Sequence, residues 1–230
     1  MIFQILSFID SILKKSAEMN KLTEQVLGSL PYGQFTSQEV ATLFPGSDDR
    51  RYSLVRRAIA SGEIIRVRRG LYCLAPKYRK KGMNLYALAQ QVYGPSYISL
   101  ESALSWHGWI PEAVHIITNV SFRKSKEFKT PLGLFSYDRI PQELFYSEVK
   151  RFTDESGNVF LMASPLKALA DYVYIRKKDW TGIEPVVGSL RVEAEEFEQV
   201  SKDNIEGLIN NYSNSRVKRF LKGLRKDLNL

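Results

Sequence analysis

Apolar residues fall at helical spacing from the first residues onward. Ile2, Ile5, Leu6, Ile9, Ile12 and Leu13 share one stripe within residues 2–15, which predicts an amphipathic helix. Its cover is left open between the body of the protein, a second copy and a membrane surface. Residues 19–30 carry Leu22, Val26 and Leu27 and predict a second helix, ended by Pro31-Tyr32-Gly33. Thr36-Ser37-Gln38-Glu39 reads as a capping box, in which Thr36 accepts from the Glu39 amide and Glu39 from the Thr36 amide. A short helix follows through Val40, Ala41, Leu43 and Phe44, and Pro45-Gly46 stops it. Ser47-Asp48-Asp49 supplies acceptors to open a third helix. Its expected inward stripe is Tyr52, Val55, Ala58 and Ile59, with Gly62 as its C-terminal stop. Two β-rich runs, residues 64–67 and 71–74, enclose Arg68-Arg69-Gly70 and predict a hairpin.

Beyond a basic, breaker-bounded stretch the pattern turns to α/β. Helices are expected from Leu85 to Val92, and from Leu100 to Trp106 with Ser99 as cap. Strands are expected from Val114 to Val120, in a hairpin around Thr130-Pro131, from Leu144 to Val149, and from Val159 to Met162. Ser164-Pro165 opens another helix, with proline at the first helical position. Two helices, from Asn204 to Asn211 and from Ser215 to Leu228, close the chain. The expected fold class is α+β: an N-terminal winged helix-turn-helix plus a mixed α/β C-terminal domain. The expected segments are a helical extension over 1–18, the winged helix-turn-helix over 19–76, a basic linker over 77–83, and the α/β domain over 84–230.

Charge sharpens this picture. The net charge is +8, unevenly spread. Residues 1–82 hold 14 Lys/Arg against 7 Asp/Glu, whereas residues 83–230 hold 19 against 18. Residues 50–81 hold 11 cations and one acid, Glu63. A surface built for solubility mixes its signs, and segregation on this scale marks a nucleic-acid footprint. One cysteine, Cys73, excludes an intrachain disulfide, and it sits in a strand pattern as a small core residue. Two histidines and one cysteine make a structural zinc site improbable. No stretch reaches the length of a membrane span, and the cytoplasm is the expected compartment.

The third helix is the candidate reader of a major groove. With the expected stripe inward, Arg50, Ser53 and Arg57 face out, and Arg51 and Arg56 lie on the flanks. Arginine forks suit guanine O6 and N7, so Arg50 and Arg57 are expected to specify sequence, and Arg51 and Arg56 to hold the backbone. The hairpin tip adds Arg66, Arg68 and Arg69, and the linker adds Lys77, Arg79, Lys80 and Lys81. The last helix offers Arg216, Lys218, Arg219, Lys222, Arg225 and Lys226 as additional DNA contacts. RNA or a protein partner are the alternatives to double-stranded DNA.

Ile65-Arg66-Val67-Arg68-Arg69-Gly70-Leu71-Tyr72 is followed by Pro95-Ser96-Tyr97-Ile98-Ser99-Leu100-Glu101-Ser102-Ala103-Leu104-Ser105-Trp106-His107-Gly108 and Ile110-Pro111-Glu112. With Phe128-Lys129-Thr130-Pro131-Leu132-Gly133, these runs resemble the AbiEi antitoxin family over roughly residues 20–175. The resemblance implies a winged-helix domain that binds repeats in its own promoter and represses the operon. It also implies an antitoxin-type second domain that counters a nucleotidyltransferase-like toxin of an abortive-infection, type IV pair, direct contact not being required. Arg66, Arg68 and Arg69 match the family's basic wing. The chain would act as a monomer or homodimer, away from membranes. No catalytic residue, cofactor or metal is expected. Asp138, Glu143, Glu148 and Asp154 form no spaced nuclease set, and no phosphate-binding glycine loop is present. A DNA-processing enzyme with a winged-helix reader and a protein-interaction scaffold are the rival functions.

Overall fold

The computed structural model describes residues 19–30, 32–79 and 82–230. The helix expected over 2–15 lies outside them, as do Lys80 and Lys81. The architecture is α+β, in two compact units that divide between Met83 and Asn84.

The first unit contains α1 (Lys21–Ser29), β1 (Gln34–Thr36), α2 (Ser37–Leu43), α3 (Asp48–Ala60), β2 (Ile64–Arg68) and β3 (Leu71–Leu74). Local chemistry sets the boundaries. Asn20 caps α1 by accepting from the Leu22 amide. Both bonds of the Thr36–Glu39 capping box are made, and Ser47 accepts from the Arg50 amide to open α3. Gly62 follows α3 at φ +72°, a left-handed turn that glycine adopts without strain.

The hairpin β2–β3 is antiparallel, with its register shifted between Arg66 and Arg68. Such a bulge tightens the local twist. Gly70, at φ +78°, completes the turn, and its carbonyl accepts from the Ser37 amide at 3.0 Å. This bond ties the wing tip to the start of α2. A strand too short to show a period of two, β1, pairs with β3 and makes the sheet three-stranded. Leu22, Val26, Phe35, Val40, Val55, Ala58, Ile64 and Leu74 form one core between sheet and helices.

The inward stripe of α3 differs from the expected one. Leu54, Val55 and Ala58 are buried, whereas Tyr52 is 68% exposed and Ile59 36%. Arg51 completes the inner edge. Its guanidinium donates to the carbonyls of Phe44 and Gly46 and pairs with Asp48 at 2.5 Å. A cation on the inner edge broke the apolar periodicity and concealed the true phase of the helix.

The second unit begins with α4 (Leu85–Val92), β4 (Ser96–Ile98), α5 (Leu100–Trp106), β5 (Ile116–Ser121), β6 (Lys126–Thr130) and β7 (Gly133–Arg139). It continues with β8 (Val149–Thr153), β9 (Val159–Ala163), α6 (Pro165–Ile175), α7 (Glu184–Leu190), α8 (Lys202–Asn211) and α9 (Ser215–Asp227). The six strands lie in the order β6-β7-β5-β4-β9-β8. The sheet is mixed, with β4–β9 and β5–β7 parallel and the other neighbours antiparallel.

Two expectations are corrected here. Residues 144–148 form a turn and not a strand, because the Leu144 amide donates to Asn211 Oδ1 at 2.6 Å and its carbonyl accepts from Asn211 Nδ2 at 3.1 Å. The end of α8 thus takes the groups a sheet ladder would need. Ser99 gives α5 no side-chain cap; its hydroxyl instead donates to buried Asp171 at 2.7 Å.

That carboxylate belongs to a closed polar network. Lys167, fully buried, donates to Gln142, Asp171 and Tyr212. Asp171 also accepts from Tyr97, Ser99 and Tyr212. All three ammonium protons find acceptors, which is the condition for holding a charge in an apolar interior. Burial lowers the Lys167 pKa, with Asp171 opposing the shift. The network joins β4, α6 and Tyr212 at the end of α8, and so ties the C-terminal helices to the sheet.

Candidate nucleic-acid interface

Successive residues turn about 100° around a helix axis, so the buried edge of α3 fixes its outer face. With Arg51, Leu54, Val55 and Ala58 inward, the residues opposite are Asp49, Ser53, Arg56 and Ala60, all exposed. Arg50 and Arg57 flank this face on one side, Tyr52 and Ile59 on the other. Relative to the expected phase, Arg56 moves to the centre and Arg50 and Arg57 move to the edge. The 13 residues of α3 extend about 20 Å, a length that suits a major groove. Phe44 to Ser47 form the turn between α2 and α3.

The wing exposes Arg66, Arg68 and Arg69, while Val67 between them is buried. Arg68 donates to the Arg69 carbonyl at 2.9 Å. Among the described residues, Arg50, Arg56, Arg57, Arg66 and Arg69 make no ion pair. The one acid of residues 50–81 is withdrawn from the surface. Glu63 is 5% exposed, and its carboxylate accepts from the Asn20 amide and the Ser61 hydroxyl, each at 2.9 Å. Burial of this acid leaves the exposed charge of α3 and the wing almost wholly positive beyond the first turn of α3.

After the wing, Pro76–Tyr78 forms one turn of 3-10 helix. Lys77 is exposed and sits 5.5 Å from the Tyr78 ring. Arg79 turns back, donating to the Leu74 carbonyl at 2.6 Å and reaching the Cys73 sulfur at 3.6 Å. Cys73 is fully buried; burial raises its thiol pKa and Arg79 opposes the rise. The thiol is therefore a packing group.

The cations of α9 divide. Arg219 pairs with Asp179, and Arg225 with Glu206 at 3.4 Å. Lys222 and Lys226 are exposed, and Arg216 and Lys218 half-buried. The inner stripe, Val217, Phe220, Leu221 and Leu224, is fully buried.

The run from residue 99 to 107 serves structure. Ser102 donates to the Ile116 carbonyl and accepts from the Thr118 amide, and Glu101 pairs with Arg176 at 2.7 Å. His107 bonds the Ala163 carbonyl through Nε2 at 3.0 Å. Burial lowers the His107 pKa from 6.5; the Ala163 bond opposes the shift and Lys150 adds to it. The unfolded ring gains a proton below its ordinary pKa of 6.5, where the folded ring stays neutral, so acidification through this window removes stability. His107→Gln is expected to reduce the fall in Tm between about pH 7 and about pH 5.5 relative to wild type, measured by thermal denaturation.

Asp154 closes the β8–β9 turn, accepting from the Asn84 and Asn158 amides and from the Ser156 and Asn158 backbone. These donors hold its pKa down to about 2. Among the described residues, no three His, Cys, Asp or Glu side chains gather as a metal site. No helix among them is long and apolar enough to cross a membrane.

No curated protein matches the chain. Residues 31–75, which take in β1, α2, α3 and the wing, match the family of transcriptional regulators described as AbiEi antitoxin.

Proposed function

We propose that this protein is a DNA-binding transcriptional repressor, the antitoxin of an abortive-infection operon whose promoter it regulates. One observation carries the reading. Among the described residues, Arg50, Arg56, Arg57, Arg66 and Arg69 are exposed without ion pairs, while Glu63 is buried and bonded inward. An unneutralised set of cations on a helix and its adjoining wing is suited to phosphate.

In this account α3 lies in the major groove. Arg56 and Ser53, at the centre of its outer face, read base edges, and Asp49 accepts from a cytosine amine. Arg50 and Arg57 hold phosphates from the flank, as do Arg66, Arg68 and Arg69 of the wing. Arg51 and Arg79 shape the scaffold, their guanidinium groups being bonded to backbone carbonyls. The second unit supplies the antitoxin role against a nucleotidyltransferase-like toxin in the cytoplasm, with no catalysis of its own.

Footprinting on the DNA upstream of the chain's own coding sequence tests the reading. Discrete protected repeats are expected at concentrations that leave the rest of the fragment open. Uniform protection, or none, overturns it.

A further inference from the structure

Rings from β8, β9, α4 and the end of α5 line a cavity of about 440 Å³ in the second unit. Phe152 and Phe160 pair across β8 and β9, with their ring centroids 5.8 Å apart. Directly paired residues point to the same face of a sheet, and the pairings through Ile98 place Ile117, also in the lining, on that face. Tyr86 of α4 approaches Phe160 at 5.6 Å, and Trp106 approaches Phe152 at 4.5 Å. Trp106 remains 41% exposed. Asn84 closes the rim. Its Oδ1 accepts from the Tyr86 and Ala87 amides and caps α4, while its Nδ2 donates to Asp154 Oδ2 at 2.8 Å.

Asp154 is the one charged residue of this lining among the described residues. The cations of β8 stand outside it. Arg151 pairs with Leu161 and so points to the face opposite Phe152, and Lys150 lines a separate cleft beside Glu148. The cavity therefore suits a cation, and the bonds of its acid narrow the kind. Asp154 Oδ1 accepts from the Ser156 and Asn158 amides at 2.9 and 2.8 Å, and Oδ2 accepts from Asn84 Nδ2 and Asn158 Nδ2, each at 2.8 Å. A carboxylate offers about four lone pairs, and donors of the fold take them all. Asp154 thus presents negative charge with no place for a further donor. A primary ammonium or a guanidinium would bring N–H groups that find no acceptor there. A quaternary ammonium carries charge and no N–H, and ring faces attract it. The cavity is larger than a trimethylammonium head, so part of the attached molecule enters with it.

We propose that this cavity binds a quaternary ammonium head, with Tyr86, Trp106, Phe152 and Phe160 as its ring walls and Asp154 as its counter-charge. The proposal rests on the second unit alone and is independent of the reading of α3.

The test uses the full chain, isotope-labelled, and follows the indole N–H resonances of its three tryptophans by NMR during titration. Trp106→Phe assigns the Trp106 resonance by its loss. Choline and a capped peptide bearing one trimethyllysine separate a free solute from a modified protein side chain as the source of the head. The neutral isostere of choline, 3,3-dimethylbutan-1-ol, measures what shape alone contributes. Saturable shifts are expected, largest at Trp106, with choline bound about tenfold tighter than the isostere and tighter than ethanolamine, its primary-ammonium analogue. By calorimetry, Trp106→Ala is expected to weaken choline binding about tenfold, and Trp106→Phe to weaken it less. Asp154→Asn is expected to abolish the preference for choline over the isostere, while retained binding of the isostere verifies that the cavity is intact. Equal affinity of wild type for choline and the isostere overturns the proposal. So does an unmoved Trp106 resonance, or absence of saturable binding by both choline and the peptide. A preference for choline that survives Asp154→Asn also overturns it.

Discussion

Lys167→Met is expected to destabilise the second unit by about 3–5 kcal/mol. The lysine is fully buried and is the only cation paired with Asp171 among the described residues. Removing it leaves a carboxylate in the interior with three hydroxyl donors but no counter-charge, and Gln142 and Tyr212 lose a donor as well. Desolvation of the orphaned charge dominates the cost. At about 2–4 °C per kcal/mol for a chain of this size, Tm falls by roughly 6–20 °C. All three tryptophans, Trp106, Trp109 and Trp180, lie in the second unit, so tryptophan fluorescence follows that transition. Adding Asp171→Leu to Lys167→Met is expected to recover part of the loss, because a buried charge costs more than a buried hydroxyl. A Lys167→Met variant within about 1 kcal/mol of wild type contradicts the network as described, since breaking a buried pair costs several times that.

The second large effect concerns DNA. If six of the exposed cations of α3, the wing and Lys77 each neutralise a phosphate, affinity falls roughly a thousandfold between about 50 and 200 mM salt. The variants separate two kinds of contact. Arg56→Ala is expected to cost about 1–3 kcal/mol on the specific site and little on random duplex, because a bidentate base contact is lost. Arg66→Ala with Arg69→Ala is expected to weaken specific and random duplex alike and to lower the salt slope by about 2. Titrations of the upstream DNA and of a scrambled duplex check both. Equal losses on the two duplexes in Arg56→Ala contradict a reading role at the centre of α3. They move sequence selection to the flanks, where Arg50 and Arg57 stand.

Where boundaries rest on short-range chemistry, the sequence pattern carried them. The capping box at Thr36 and Glu39, the proline after Ser164, and the turn glycines 62 and 70 each act within a few residues of themselves. Strands of three residues, β1 and β4, are too short to show alternation. The phase of α3 was misread because Arg51 occupies an inner position that only its bonds to Phe44 and Gly46 explain. Residues 144–148 have strand-like composition, but their amide partner, Asn211, lies 67 positions away. The cations of residues 50–81 were legible as a cluster of charge, while the burial of Glu63 against Asn20, 43 positions earlier, was not. Two of the six cations expected on α9, Arg219 and Arg225, are paired with Asp179 and Glu206, partners that the local sequence of the helix does not show.

The proposed DNA binding depends on α3 and the wing presenting positive charge to phosphate. The direct measurement is the salt dependence of binding to the upstream duplex by the intact chain. A linear fall of log affinity with log salt, with a slope of about −5 for six contacts, is the predicted result. An affinity that stays flat as salt rises contradicts the account.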